Sequence, residues 1–230
     1  ELLGAHHLRD KGPVTYQDCN NVPMIVVHPD GAKGETSKAI TSHIDIEPTI
    51  LEFAGLKQST IKQFNSSLNG HSFARYAFEP HKEPNRTACL YQWSSLIYLD
   101  EQWTQTLAPV LANKDFSSVV DMLSSGHALP DMKNKCHFRG MYDGRYKFAR
   151  YFSPTMHRQK YNYQQLLDEC DIELYDTQSD PLELNNLASN PHQFKQQVIH
   201  LNQKLEDLIA AEVGSDTGEF LPGPSSYWAA

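Results

Sequence analysis

The chain has 230 residues, 40% hydrophobic and 10% aromatic, which supports one large domain or a medium one with a smaller companion and argues against disorder. Its formal net charge of -8 excludes a broad nucleic-acid-binding face but allows a small anion to be held by a few local cations. No apolar run is long enough to span a bilayer. The four cysteines (Cys19, Cys89, Cys136 and Cys170) form no C-x-x-C pair, so free structural thiols are expected ahead of a zinc site or a disulfide framework.

The chain opens on a polar loop, Gly4-Ala5-His6-His7-Leu8-Arg9-Asp10-Lys11-Gly12-Pro13-Val14-Thr15-Tyr16, ahead of the apolar run Val22-Pro23-Met24-Ile25-Val26-Val27. Continuous apolar character predicts a buried strand covered on both faces, as in a parallel sheet, and Pro23 is tolerated near its start. Two histidines and a lysine in a loop beside such a strand suit anion chemistry. Residues 37–44 read as extended, and Asp45 as the N-cap of a helix with Glu47 and Pro48 in its first turn. Ile46, Ile50, Leu51 and Phe53 would form its apolar stripe, and Gly55 its stop. Asp45 has a competing reading as a metal ligand, which the helix-start pattern outweighs.

Residues 59–70 and 80–85 read as polar connections. Residues 87–99 alternate, with Leu90, Tyr91, Trp93, Ile97 and Tyr98 predicting a strand. Trp93 and Trp103 suit a pocket wall or a core, and general burial tendencies favour the core. A short helix is expected over 116–123. Residues 137–152 give the clearest hairpin, turning at Asp143-Gly144, with Tyr146 and Phe148 on one face and Lys147 and Ala149 on the other. Arg145, Lys147 and Arg150 form a basic cluster, expected to be solvated. A further strand over 172–176 precedes a long amphipathic helix. Asn190 and Pro191 open that helix, Phe194, Val198, Leu201, Leu205, Leu208 and Ile209 stripe it, and Gly214 ends it. The order predicts an α/β fold class. Residues 1–85 form the end of a mainly parallel sheet sandwiched by helices, and 86–230 a small α+β region with an antiparallel sheet and the long helix packed on it.

Several stretches together resemble the sulfatase family of the alkaline phosphatase superfamily. The opening loop through Tyr16 and the run from Val22 look like the family's lysine-bearing loop and the strand after it. Ser42-His43-Ile44-Asp45-Ile46-Glu47-Pro48-Thr49-Ile50-Leu51 and Leu68-Asn69-Gly70-His71-Ser72-Phe73 are similar to two later segments. Asp143-Gly144-Arg145-Tyr146-Lys147-Phe148, Glu173-Leu174-Tyr175-Asp176 and Asp180-Pro181-Leu182-Glu183-Leu184-Asn185-Asn186-Leu187 resemble its C-terminal signature.

The resemblance implies an alkaline-phosphatase-like fold and hydrolysis of a sulfate monoester, aryl, alkyl or saccharide. Lys11 matches the lysine that contacts the sulfate group, as a compact charge with three donors. His6 matches a histidine that would donate to the leaving oxygen, or else bond the loop backbone. His7 departs from a common glycine and would touch substrate, and Trp93 on the expected strand is a second candidate for substrate contact. No C/S-x-P-x-R motif occurs here, so the formylglycine nucleophile and the calcium ligands are expected outside this chain, which itself supplies no metal ligand. The chain would then be a C-terminal portion, with the N-terminal part of the same enzyme as its partner. Two alternatives are a phosphonate or phosphate ester hydrolase of the superfamily and a non-catalytic fragment. Compartment and oligomeric state stay open.

Overall fold

Asp143 and Gly144 reverse the chain as their chemistry dictates. Gly144 takes φ 93°, and the Asp143 carboxylate accepts the backbone N–H groups of Arg145 at 3.0 Å and Tyr146 at 2.7 Å. The computed structural model describes residues 2–10, 12–94, 101–125, 131–157 and 160–215. Its strands are β1 (Cys89–Trp93), β2 (His137–Tyr142), β3 (Tyr146–Phe152) and β4 (Asp171–Asp176), antiparallel throughout in the order β1-β2-β3-β4. Its α-helices are α1 (Gln17–Asn20), α2 (Ile46–Phe53), α3 (Gln58–Phe64), α4 (Glu101–Ala112), α5 (Phe116–Ser125), α6 (Tyr163–Glu169) and α7 (Lys195–Glu212).

Strand alternation divides the sheet into two unlike faces. Leu90, Met141, Phe148 and Leu174 fall in line across the four strands and point to one side. There, with Phe152, they join Leu166 of α6 and Val198, Leu201, Leu205 and Ile209 of α7 in the main core. The predicted long helix therefore packs on the sheet through the predicted stripe. It starts later than Asn190 and Pro191 suggest: residues 191–194 make turns, and the Asn190 amide donates to Gln193 Oε1 at 3.0 Å.

Several expectations are corrected. Residues 22–27 join no sheet, and Val22, Met24, Ile25, Val26 and Val27 are all exposed, Ile25 by 85% and Val27 by 90%. An apolar run becomes a buried strand only where other strands flank it, and no parallel pair occurs among the described residues. Asp45 stands at the N-cap position of α2 as expected, but its side chain makes no capping bond to that helix. It is the third residue of the short 3-10 turn His43–Asp45, and its carboxylate accepts the Ser42 N–H at 2.8 Å in a capping box. In α2 the inward residues are Pro48 and Thr49, while Ile50 and Phe53 face solvent. The polar stretch after residue 57 forms α3, and Trp103 of α4 is buried with Leu107 and Val119.

Lys147 and Arg150 are 3% exposed, not solvated. Arg150 lies on the α7 side, where its guanidinium donates to Asn202 and Glu206 and covers the Tyr161 ring at 4.6 Å. Arg145 alone of the three is open to solvent, paired to Asp176 at 2.7 Å. All four cysteines are free thiols, Cys89 and Cys170 buried. Ile97 and Tyr98 lie outside the described residues.

Candidate anion-site wall

The second face of the sheet is polar, and residues 13–17 lie across it. Thr15 is fully buried there. Gly140 makes room: a Cβ at that position would stand 3.1 Å from the Ala149 Cβ and 3.3 Å from the Thr15 Cγ2. Glu173 Oε2 accepts the Thr15 hydroxyl at 2.6 Å and the Tyr151 hydroxyl at 3.1 Å. Glu183 Oε2 accepts the Gln17 backbone N–H at 2.7 Å, and Glu183 Oε1 meets the Lys147 ammonium at 2.5 Å. Lys147 comes from β3 and Glu173 from β4, so strand alternation brings both to this face, while Glu183 reaches in from a turn at φ 55°.

This pairing is dry, with the two side chains 4% and 1% exposed. Burial pulls the Lys147 ammonium below its ordinary value, and the bond to Glu183 opposes that pull. Burial likewise pushes the Tyr151 and Tyr175 hydroxyls up, with the Glu173 charge adding to the effect in each. Tyr16 is raised first by burial, with the Glu173 and Glu183 charges adding to the effect.

The loop before this segment carries the candidate histidines. Its backbone closes on itself: Leu2 N–H donates to Asp10 O at 3.0 Å, and Gly4 N–H to Leu8 O at 2.9 Å. His6 and His7 take left-handed conformations, φ 52° and 59°, which histidine visits more readily than most residues at about 1–2 kcal/mol per residue. The His6 ring stacks on Tyr16, centroids 3.6 Å apart and planes within 7°. His7 is exposed, and Lys11 lies outside the described residues.

Trp93, 38% exposed, ends β1, whereas Tyr16 meets Tyr175 of β4 with ring centroids 6.1 Å apart. These are opposite edges of the sheet, three strand spacings or roughly 14 Å apart, so Trp93 is not brought beside His6. Reading the sequence missed Thr15, Tyr16, Lys147, Glu173 and Glu183 as site-building residues. The alternation of Glu173 with Leu174 and of Lys147 with Phe148 was the available signal.

A second polar centre lies elsewhere. Arg86, from the segment before β1, donates to both Asp45 oxygens and to Glu212 at the end of α7, and all three are buried. Burial works against the charge of Arg86, but the two carboxylates outweigh it and raise its pKa. Asp45 also accepts the His71 N–H at 2.7 Å, so its oxygens are engaged by Arg86 and the backbone in holding the fold. The adjoining cleft, about 470 Å³, includes Lys62, His71, Asn85 and Thr87 in its lining. Among the described residues, no group of three or more His, Cys, Asp or Glu side chains could hold a metal ion, and no helix is long and apolar enough to cross a membrane.

No family model matches the chain. Two curated proteins do match part of it. "Uncharacterized sulfatase YidJ" of Escherichia coli K12 is 34% identical over 61 residues, which is 26% of this chain and 12% of that protein. The N-acetylglucosamine-6-O-sulfatase of Bacteroides thetaiotaomicron is 40% identical over 57 residues, 24% of this chain and 10% of that protein. Among solved structures, BT4656, in complex with its substrate D-glucosamine-2-N,6-O-disulfate, superposes with a TM-score of 0.62 at 23% identity. That match covers 94% of this chain and 33% of the other. About a quarter of the chain is thus homologous to part of two sulfatases, and the chain's fold is similar to that of part of BT4656. The chain spans about a third of that solved chain's length.

Proposed function

We propose that this chain forms one wall of the anion site of a sulfate-ester hydrolase whose remaining residues lie outside it. The observation that carries the reading is the anchored loop. Residues 13–17 are clamped to the sheet by Glu173 and Glu183, which fixes the base of the segment bearing Lys11 and His6 in a chain with sulfatase homology. Lys11 would bind the nonbridging sulfate oxygens, where fixed positive charge opposes the negative charge that shifts during transfer. His6 would hold a proton at the leaving oxygen. His7 would meet the organic part of the ester. A formylglycine nucleophile and calcium, which supply the attacking oxygen and further positive charge in such enzymes, would come from outside this chain.

The domain reading follows the same line. The exposed apolar side chains over 22–27 suit a strand awaiting neighbours, which supports residues 1–85 as the end of a catalytic α/β domain and 86–230 as its companion. Its partner is then the N-terminal part of the same enzyme. The names of the relatives make a sulfated saccharide the first substrate to test. In the intact enzyme, a glucosamine 6-sulfate and an aryl sulfate should be turned over in preference to a matched phosphonate monoester. Preferential turnover of the phosphonate would move the assignment to the other hydrolase class.

A further inference from the structure

Tyr16 has two neighbours that give it more than a packing role. Its ring face is covered by His6, centroids 3.6 Å apart and nearly parallel, and its ring packs against that of Tyr175 of β4, centroids 6.1 Å apart. The residues on either side of it are pinned independently, Thr15 by Glu173 and Gln17 by Glu183. Those two carboxylates are held in turn, Glu173 by Tyr151 and Glu183 by Lys147. The result is a rigid aromatic plate on the sheet, held at three successive residues. His6 is otherwise mounted on a short loop in the left-handed region, whose backbone bonds fix the path of the loop but not the turn of the His6 ring. A side chain that must meet one atom of a substrate loses rate steeply when displaced, by as much as about a hundredfold for 1 Å.

We propose that Tyr16 is the positioning residue of His6: stacked against the imidazole, clamped through Thr15 and Gln17 and packed against the Tyr175 ring, it sets the plane in which His6 faces the sulfate ester. This rests on the sulfate-ester reading above, and on no contact between Tyr16 and substrate.

The test uses the intact enzyme with Tyr16→Leu, Tyr16→Phe, His6→Ala and the double variant Tyr16→Leu/His6→Ala. Tyr16→Leu should lower kcat for an aryl sulfate about tenfold or more with KM little changed. Tyr16→Phe, which keeps the plate, should retain most of the rate. The double variant should be no slower than His6→Ala alone, because Tyr16 acts through His6. Losses that multiply in the double variant, or parental kcat in Tyr16→Leu, would overturn the proposal. A measurement independent of turnover guards against a Tyr16→Leu protein that fails to fold. With isotopically labelled histidine, the His6 ring resonances of the parent, assigned by their loss in His6→Ala, should show an upfield ring-current shift. Unshifted His6 resonances would overturn the proposal as well. Failure of the sulfatase reading itself would show separately, as a parent enzyme without sulfate-ester turnover.

Discussion

Lys147 shows how a single residue changes meaning between sequence and fold. The period-two pattern of 146–152 places Lys147 opposite Phe148 on the strand, and that much is legible in the sequence. Whether the face it points to is wet depends on residues 13–17 and on Glu183, distant in sequence, which cover it. Removing one partner of such a buried pair leaves the other charge uncompensated. Lys147→Met should therefore lower stability by about 3–5 kcal/mol in denaturant titration, and adding Glu183→Gln should recover part of the loss.

Four buried or half-buried tyrosines give a pH prediction at the same scale. Tyr91, Tyr151, Tyr161 and Tyr175 are all pushed above their ordinary value of 10.0, burial being the first cause in each. A folded pKa above the unfolded one means that the unfolded chain loses its protons first. The stabilisation is complete below pH 10.0 and is lost as pH rises above it. Lys147 acts in the opposite sense, since its folded pKa is depressed and its contribution improves as pH rises toward 10.5, but it is one group against four. Alkaline titration should show the ultraviolet signal of tyrosinate appearing together with loss of helical circular dichroism. Tyrosinate from these residues in a fully helical protein would contradict the assignment of burial.

Among the elements, α7 and the β2–β3 hairpin were the most legible. A three-and-four-residue apolar stripe has one stable use, packing on an apolar face, and Asp143-Gly144 admits few alternatives to a hairpin turn. Leu205 lies at the centre of the contact and is fully buried with Phe148 and Leu174 in the same cluster. Leu205→Ala should cost about 2–5 kcal/mol in urea unfolding with the native topology retained. Ile50 would show the contrast. Predicted on the buried stripe of α2, it is 60% exposed, and Ile50→Ala should change stability far less. The run over 22–27 misled for a related reason: apolar periodicity reports what a segment can bury, not whether its partner belongs to the same stretch of chain. The loop lysine and histidines were visible as candidates in the sequence, but the clamp under them was not, because it joins residues more than a hundred positions apart.

At the scale of the whole molecule, Arg86 joins the two halves of the chain. It ties Asp45, ahead of α2, to Glu212 at the last turn of α7, with Asp45 also holding the His71 backbone. Gly70 belongs to the same junction: a Cβ there would stand 1.9 Å from the Ile44 carbonyl oxygen, so only glycine lets the two segments approach this closely. Arg86→Met would strand two buried carboxylates and should destabilise the protein by about 3–5 kcal/mol, read by thermal or denaturant unfolding. It should do so without changing substrate preference, because Arg86 belongs to this junction and not to the polar face that carries residues 13–17.

The proposed function turns on Lys11 binding a sulfate ester, in a segment followed by residues 13–17 anchored on that polar face. Its most direct test is the turnover of an aryl sulfate by the intact enzyme and by its Lys11→Ala variant, with unfolding midpoints measured alongside. A fall in kcat/KM of about a hundredfold or more at unchanged stability is predicted, the scale of losing one electrostatic stabiliser. Near-parental turnover by Lys11→Ala would contradict it.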